Sequence, residues 1–224
     1  MENISKEEED IYVFKILIVG DASCGKVQFI SRFCEDRFDK DSLTTIGIDI
    51  KHKYVLRKGR KIDLRICDTA GQERFKALAK NYFKSADGII LMYDITNIHS
   101  FKNIEEYINK IKNITDITKV AIIIAGNKCD LINEREVNEK MKSDFETEHN
   151  MKIYEVSAKD NINVNECFVA LIDKMIELGL GKKKIYDDNE KVLEINKKNR
   201  DNNNWVVKEK RNRLNNCCLL IIIN

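Results

Sequence analysis

The chain has 224 residues, 43% of them hydrophobic and 34% charged, with no proline and a formal net charge of +2. That is room for one well-packed domain with extensions, and apolar runs recurring through residue 178 exclude a disordered chain over that stretch. Residues 179–224 hold eleven Lys and Arg against six Asp and Glu, while residues 1–178 hold 28 against 31, so a near-neutral body carries a basic tail, which argues against a dedicated nucleic-acid-binding domain.

Residues 1–10 form an acidic extension without an apolar stretch, so no secretory signal is expected, and Glu2 excludes the usual myristoylation pattern. From there, β-rich runs at Val13–Val19, Ile48–Leu56, Ile62–Cys67, Gly88–Asp94, Val120–Ala125 and Ile153–Val156 predict six strands. Arg57 to Arg60 is short enough for a hairpin between the second and third. The other strands are separated by helix-length segments, Lys26–Phe33, Phe75–Ser85, Ser100–Ile114, Val137–His149 and Val164–Leu178, as parallel crossovers require. In the third of these, Phe101, Ile104, Ile108 and Ile111 share one face, which should pack on the sheet. The expected fold is therefore α/β: one domain over residues 11–178, with a six-stranded, mostly parallel sheet, one antiparallel strand and five flanking helices. Residues 179–224, rich in Asn, Lys and Asp, should be a flexible tail.

The first strand runs into Gly20-Asp21-Ala22-Ser23-Cys24-Gly25-Lys26-Val27 and then an apolar helix start. This nearly matches the phosphate-binding pattern GxxxxGK[ST], in which successive backbone N–H groups at a helix N-terminus point at phosphate oxygens and the lysine adds a point charge on the β- and γ-phosphates. Val27 is the mismatch: the pattern calls there for a Ser or Thr hydroxyl on Mg²⁺. Cys24, Cys34, Cys67, Cys129 and Cys167 stand apart, with no zinc-type or CxxC spacing, and read as reduced, intracellular thiols.

Asn127-Lys128-Cys129-Asp130 follows the fifth strand and Ser157-Ala158-Lys159 the sixth. A carboxylate such as Asp130 can accept from both N1–H and the exocyclic amino group of guanine, whereas adenine would leave the acid unpaired; sites built this way discriminate by roughly 10⁴–10⁵. An ATP-dependent phosphate-loop kinase is thereby disfavoured. Together with Asp68-Thr69-Ala70-Gly71-Gln72 after the third strand, these motifs resemble the Ras superfamily in order and spacing over about residues 10 to 178.

The resemblance implies a GTP-binding switch. Asn127 would hold the base edge, the Lys128 stem would cover the nucleoside, Ala158 would offer its N–H to the guanine oxygen, and Phe38 would pack edge-on against the base; a core aromatic is its alternative, but the offset from Lys26 to Thr45 fits the family spacing and favours the nucleotide contact. Thr45 matches the switch threonine that reaches Mg²⁺ and the γ-phosphate, Asp68 the acid holding Mg²⁺ through water, Gly71 a backbone donor to the γ-phosphate, and Gln72 the side chain orienting the attacking water. With no general base beyond that, turnover would be slow without an activator, which adds roughly 10³–10⁵-fold in this class.

Ile46-Gly47-Ile48-Asp49-Ile50, Arg74 to Leu78, Tyr82 to Ala86 and Leu91-Met92-Tyr93-Asp94-Ile95-Thr96 resemble the segments that distinguish the Rab branch. Cys67 departs from the Trp that many Rabs carry there. Cys217-Cys218 resemble the pair that Rab chains carry prenylated near the end, but six further residues follow them. The apolar run Cys217 to Ile223 has seven residues, far short of the roughly 20 a membrane-spanning helix needs.

The resemblance thus implies a Rab-type GTPase that converts GTP to GDP with Mg²⁺. It would switch vesicle-mediated protein transport, residing in the cytoplasm and cycling to the cytosolic face of endomembranes. Its partners would be an exchange factor, a GTPase-activating protein, a GDP-dissociation inhibitor or escort-type protein, effectors and a membrane surface, with no nucleic acid. The alternative is a Rab-like guanine-nucleotide-binding adaptor whose Mg²⁺-dependent hydrolysis is impaired by Val27.

Overall fold

β1 (Ile11–Gly20) is the middle of the sheet, paired in parallel with β3 (Arg60–Asp68) on one side and with β4 (Gly88–Asp94) on the other. The structure, a computed structural model, describes residues 11–39, 49–68, 82–183 and 221–222. β2 (Asp49–Arg57) lies antiparallel to β3 in register from Asp49 opposite Asp68 to Arg57 opposite Arg60. Their turn is Lys58-Gly59, both at positive φ (47° and 72°), the twist that suits a two-residue hairpin. β5 (Ala121–Asn127) and β6 (Ile153–Glu155) continue the parallel sheet beyond β4.

The helices are α1 (Lys26–Glu35), α2 (Ile98–Ile114), α3 (Glu139–His149) and α4 (Val164–Glu177), and residues 82–85, within the expected Phe75–Ser85 helix, are helical too. All six expected strands are present. Two further strands of two residues each, which the sequence does not announce, raise the sheet to eight: β7 (Lys182–Lys183), antiparallel to β1, and β8 (Ile221–Ile222), parallel to β2. Such short strands carry no periodicity to detect, and both fall within the segment expected to be a flexible tail. The strand order is β6-β5-β4-β1-β3-β2-β8.

Both sheet faces are covered. Phe14, Ile16 and Ile18 of β1 point to a core shared with Phe29 and Phe33 of α1 and Phe168 and Leu171 of α4. Leu17 and Val19 point oppositely, to the core where Phe101, Ile104, Ile108 and Ile111 of α2 lie buried along the face their spacing predicts. Every residue of β4 and β5 is buried, as parallel strands between two helical layers require. Phe168 stacks on Phe33 and Phe29, with ring centroids 3.6 and 5.0 Å apart, and joins α4 to α1. Among the described residues, no helix is long and apolar enough to cross a membrane.

Two polar features, one within this core and one beside it, lend themselves to test. The Tyr93 hydroxyl is buried with no hydrogen-bond partner among the described residues, a loss of solvation worth about 1–3 kcal/mol. Tyr93→Phe should therefore leave the fold intact and raise stability by about 1 kcal/mol in urea unfolding. Arg135 holds Glu155 through two hydrogen bonds of 2.6 and 2.8 Å. The Arg135 hydrogen bond is the main cause that keeps the Glu155 carboxyl below its ordinary value of 4.5, with Lys142 adding to it against the cost of burial. A depressed carboxylate stabilises fully above its unfolded value and loses that contribution as the pH falls through the lower folded value. Glu155→Gln should cost about 1–2 kcal/mol at neutral pH, and the gap to the unaltered protein should close on acidification below pH 4.5 when thermal unfolding is followed as a function of pH.

Candidate nucleotide site at the carboxyl ends of the strands

β1, β4, β5 and β6 run in parallel, so the loops at their carboxyl ends gather along one rim of the sheet, where open α/β sheets bind their ligands. The loop from Asp21 to Gly25 joins β1 directly to α1. At Gly20 a Cβ would stand 2.0 Å from the Met92 carbonyl oxygen, and at Gly25, where φ is 90°, it would stand 2.3 Å from Asn127 Nδ2. Ser23 also adopts positive φ, at 64°. No side chain caps the start of α1 and no acid occupies its first turn, which leaves the positive end of the helix facing the loop.

Lys26 is buried under this loop, and its ammonium donates to the carbonyl oxygens of Gly20 and Asp21, both at 2.7 Å. Cys24 lies 4.0 Å from the same nitrogen. Burial pushes its thiol up to about 11, against the opposing charge of Lys26, so it is protonated at neutral pH and serves as packing. The Asp21 carboxylate accepts from Asn103 Nδ2 at 2.7 Å and from the Tyr107 hydroxyl at 2.9 Å, which pins the loop to α2. Ala22 is exposed, and Val27 is half-buried in the first turn of α1, where it presents only methyl groups.

The Asn127 side chain, at the end of β5, reaches two other loops. Its Nδ2 donates to the Cys24 carbonyl at 2.9 Å and its Oδ1 accepts from the Ala158 N–H at 3.2 Å. Lys128, at φ 67°, turns its ammonium to Asp94 Oδ2 at 2.6 Å. Asp130 accepts from the Ser157 hydroxyl at 2.6 Å and lies 3.5 Å from the Lys159 ammonium. Arg32 of α1 donates to the Ala158 and Lys159 carbonyls at 2.9 and 3.1 Å. Phe38 is half-buried against the core beside α1. Asp68 is buried at the end of β3, in register with Ile18 of β1.

The structure thus brings Gly20 to Val27, Asn127 to Asp130 and Ser157 to Lys159 together. Thr45, Gly71, Gln72, Cys217 and Cys218 lie outside the described residues. Sequence reasoning missed Asn103, Tyr107, Asp94 and Arg32, which orient the loops from other elements. Their only sequence signal was a polar residue on a helix or strand with another plausible use.

A protein-family model described as Ras family matches residues 15–177. The chain belongs to the Ras family. Within it the similarity is to Rab proteins. Human Ras-related protein Rab-3A is 39% identical over 173 residues, covering 77% of this chain and 78% of that one. Rab-3 of Caenorhabditis elegans is 40% identical over 170 residues (74% and 77%), and Rab-13 of Rattus norvegicus is 42% identical over 160 residues (71% and 78%). The chain is a Rab-type small GTPase, of a family that hydrolyses GTP to GDP and uses Mg²⁺. The donors at this rim fit that ion with one oxygen fewer than the phosphate-loop pattern supplies, since Asp68 offers a carboxylate but Val27 offers nothing.

Because Asn103 and Tyr107 fix the loop through Asp21, replacing both, as Asn103→Ala with Tyr107→Phe, should weaken GTP and GDP to a similar degree. The expected loss is about 3- to 10-fold in Kd, read by displacement of a fluorescent nucleotide.

Proposed function

We propose that this GTPase switches an effector-binding surface during vesicle-mediated transport, with GTP lying along the loop from Gly20 to Val27 and its base over Asn127 to Asp130. The observation that carries this reading is the pair of hydrogen bonds that Asn127 donates to the Cys24 carbonyl and accepts from the Ala158 N–H, which ties a phosphate-type loop to the loops suited to guanine. Backbone N–H groups of the loop and of the α1 N-terminus receive phosphate oxygens, and Lys26, now held by the Gly20 and Asp21 carbonyls, adds its charge to the β- and γ-phosphates. Asp130, kept in place by Ser157 and Lys159, accepts from guanine N1–H and the exocyclic amino group. The Ala158 N–H, which Asn127 Oδ1 accepts here, is shared with the guanine oxygen, the Lys128 stem covers the nucleoside, and Phe38 packs against the base.

In the hydrolytic step a water oriented by Gln72 attacks the γ-phosphorus, the bond to the β-phosphate oxygen breaks, and GDP and phosphate depart. Thr45 and, by way of water, Asp68 would hold Mg²⁺, which when bound would supply the neutralising charge that this chemistry needs. Thr45 and the Gly71 N–H register the γ-phosphate, so its loss releases the segments that carry them and alters the surface offered to effectors. An activator accelerates hydrolysis, an exchange factor reloads GTP, and a GDP-dissociation inhibitor or escort-type protein handles the lipid-bearing form. Cys217 and Cys218 carry the prenyl groups, with Lys208, Lys210, Arg211 and Arg213 adding attraction of up to about 1 kcal/mol each to an anionic surface. The protein then cycles between cytoplasm and the cytosolic face of endomembranes.

Val27 favours a second reading, a guanine-nucleotide-binding adaptor with impaired Mg²⁺-dependent hydrolysis. The two separate in single-turnover GTP hydrolysis and fluorescent GTP and GDP binding over a Mg²⁺ titration, with Val27→Thr alongside. The enzyme-switch reading expects GTP binding and turnover close to those of Val27→Thr at millimolar Mg²⁺, with the natural chain needing more Mg²⁺ for half-maximal GTP binding. Binding or turnover confined to Val27→Thr would leave the adaptor.

A further inference from the structure

β2 uses one side for its nine-residue pairing with β3, and β8 adds to the other side, with Ile221 beside Val55 and Ile222 beside Leu56. An open strand edge presents a row of N–H and C=O groups that accepts another strand. The receiving edge is held firmly here. Next to Leu56, Arg57 makes two hydrogen bonds of 2.9 and 2.7 Å to Asp173 of α4, and Lys58 lies 3.3 Å from Glu177. The added segment has the composition of a buried strand: Leu219-Leu220-Ile221-Ile222-Ile223 is five apolar residues in a row, three of them β-branched.

From these observations we infer that the outer edge of β2 is a docking site for the chain's own Ile221-Ile222, the centre of an apolar run in the sequence, which adds in cis as a parallel strand. The 37 residues between Lys183 of β7 and Ile221 can span at most about 130 Å, so reach imposes no strain. The covalent link holds the segment at a local concentration far above that of a second copy in dilute solution, which favours docking within one molecule. Cys217 and Cys218 stand four and three residues before Ile221, so docking keeps both within about 14 Å of it. A membrane-bound chain end that stays docked would therefore hold the domain close to the bilayer. That consequence rests on the lipidation proposed above; the docking itself does not.

The test is hydrogen exchange on the full, unlipidated chain, on a chain lacking residues 219–224, and on Ile221→Lys with Ile222→Lys, which retains the length. Docking predicts amide exchange over residues 53–57 on the order of tenfold faster in both variants, with β4 and β5 unchanged. It also predicts that protection in the unaltered chain is independent of protein concentration. Equal exchange in all three proteins would overturn the inference. So would protection that disappears on dilution, because the strand on β2 would then come from a second copy.

Discussion

Asn127 has its carboxamide buried between loops that come from separate parts of the chain, with one end on the Cys24 carbonyl and the other on the Ala158 N–H. A buried amide that lost either partner would forfeit about 1–3 kcal/mol, so the two loops cannot drift apart without that cost. The neighbouring sequence is shaped around this tie. Gly25 has no side chain because a Cβ there would stand 2.3 Å from Asn127 Nδ2, and Gly126 has none because a Cβ there would stand 2.5 Å from the Tyr93 hydroxyl oxygen. The rim proposed to take nucleotide is held by such close approaches, with hydrogen bonds from Asn103 and Tyr107 of α2 to Asp21 and from Arg32 to the loop after β6 completing it.

Much of the architecture was legible in the sequence because two kinds of local signal agreed. Alternating and continuous apolar runs located the strands, and the spacing of Phe101, Ile104, Ile108 and Ile111 gave the buried face of α2. Punctuation did the rest: Lys58-Gly59 made the one hairpin, and helix-length separations elsewhere forced parallel crossovers. Gly20, Gly25 and Lys26 could be paired with Asn127 and Asp130 only through resemblance. Nothing local says that residues 24 and 127 touch.

The unread part is the part made by distance in sequence. Asp21 meets Asn103 and Tyr107 across more than eighty positions, and Lys128 pairs with Asp94 from the neighbouring strand. Asn103, Tyr107 and Asp94, taken alone, look like polar side chains with no fixed use. β7 and β8 escaped for another reason: two residues cannot display a period, and their pairing depends on an open edge or on space beside β1 that only the assembled sheet defines.

The central position of β1 bears on how the protein is made. A strand that precedes all the others in the chain yet lies between β3 and β4 has no partner on either side when it is first synthesised. Its apolar residues, Phe14, Ile16 and Ile18 on one face and Leu17 and Val19 on the other, must wait for the β2–β3 hairpin and then for β4. Exposed strand edges and apolar faces are what aggregate during synthesis. For this fold the two edges of β1 are covered once β4 is available, whereas its apolar faces are covered only as α2 and then α4, with Phe168, follow.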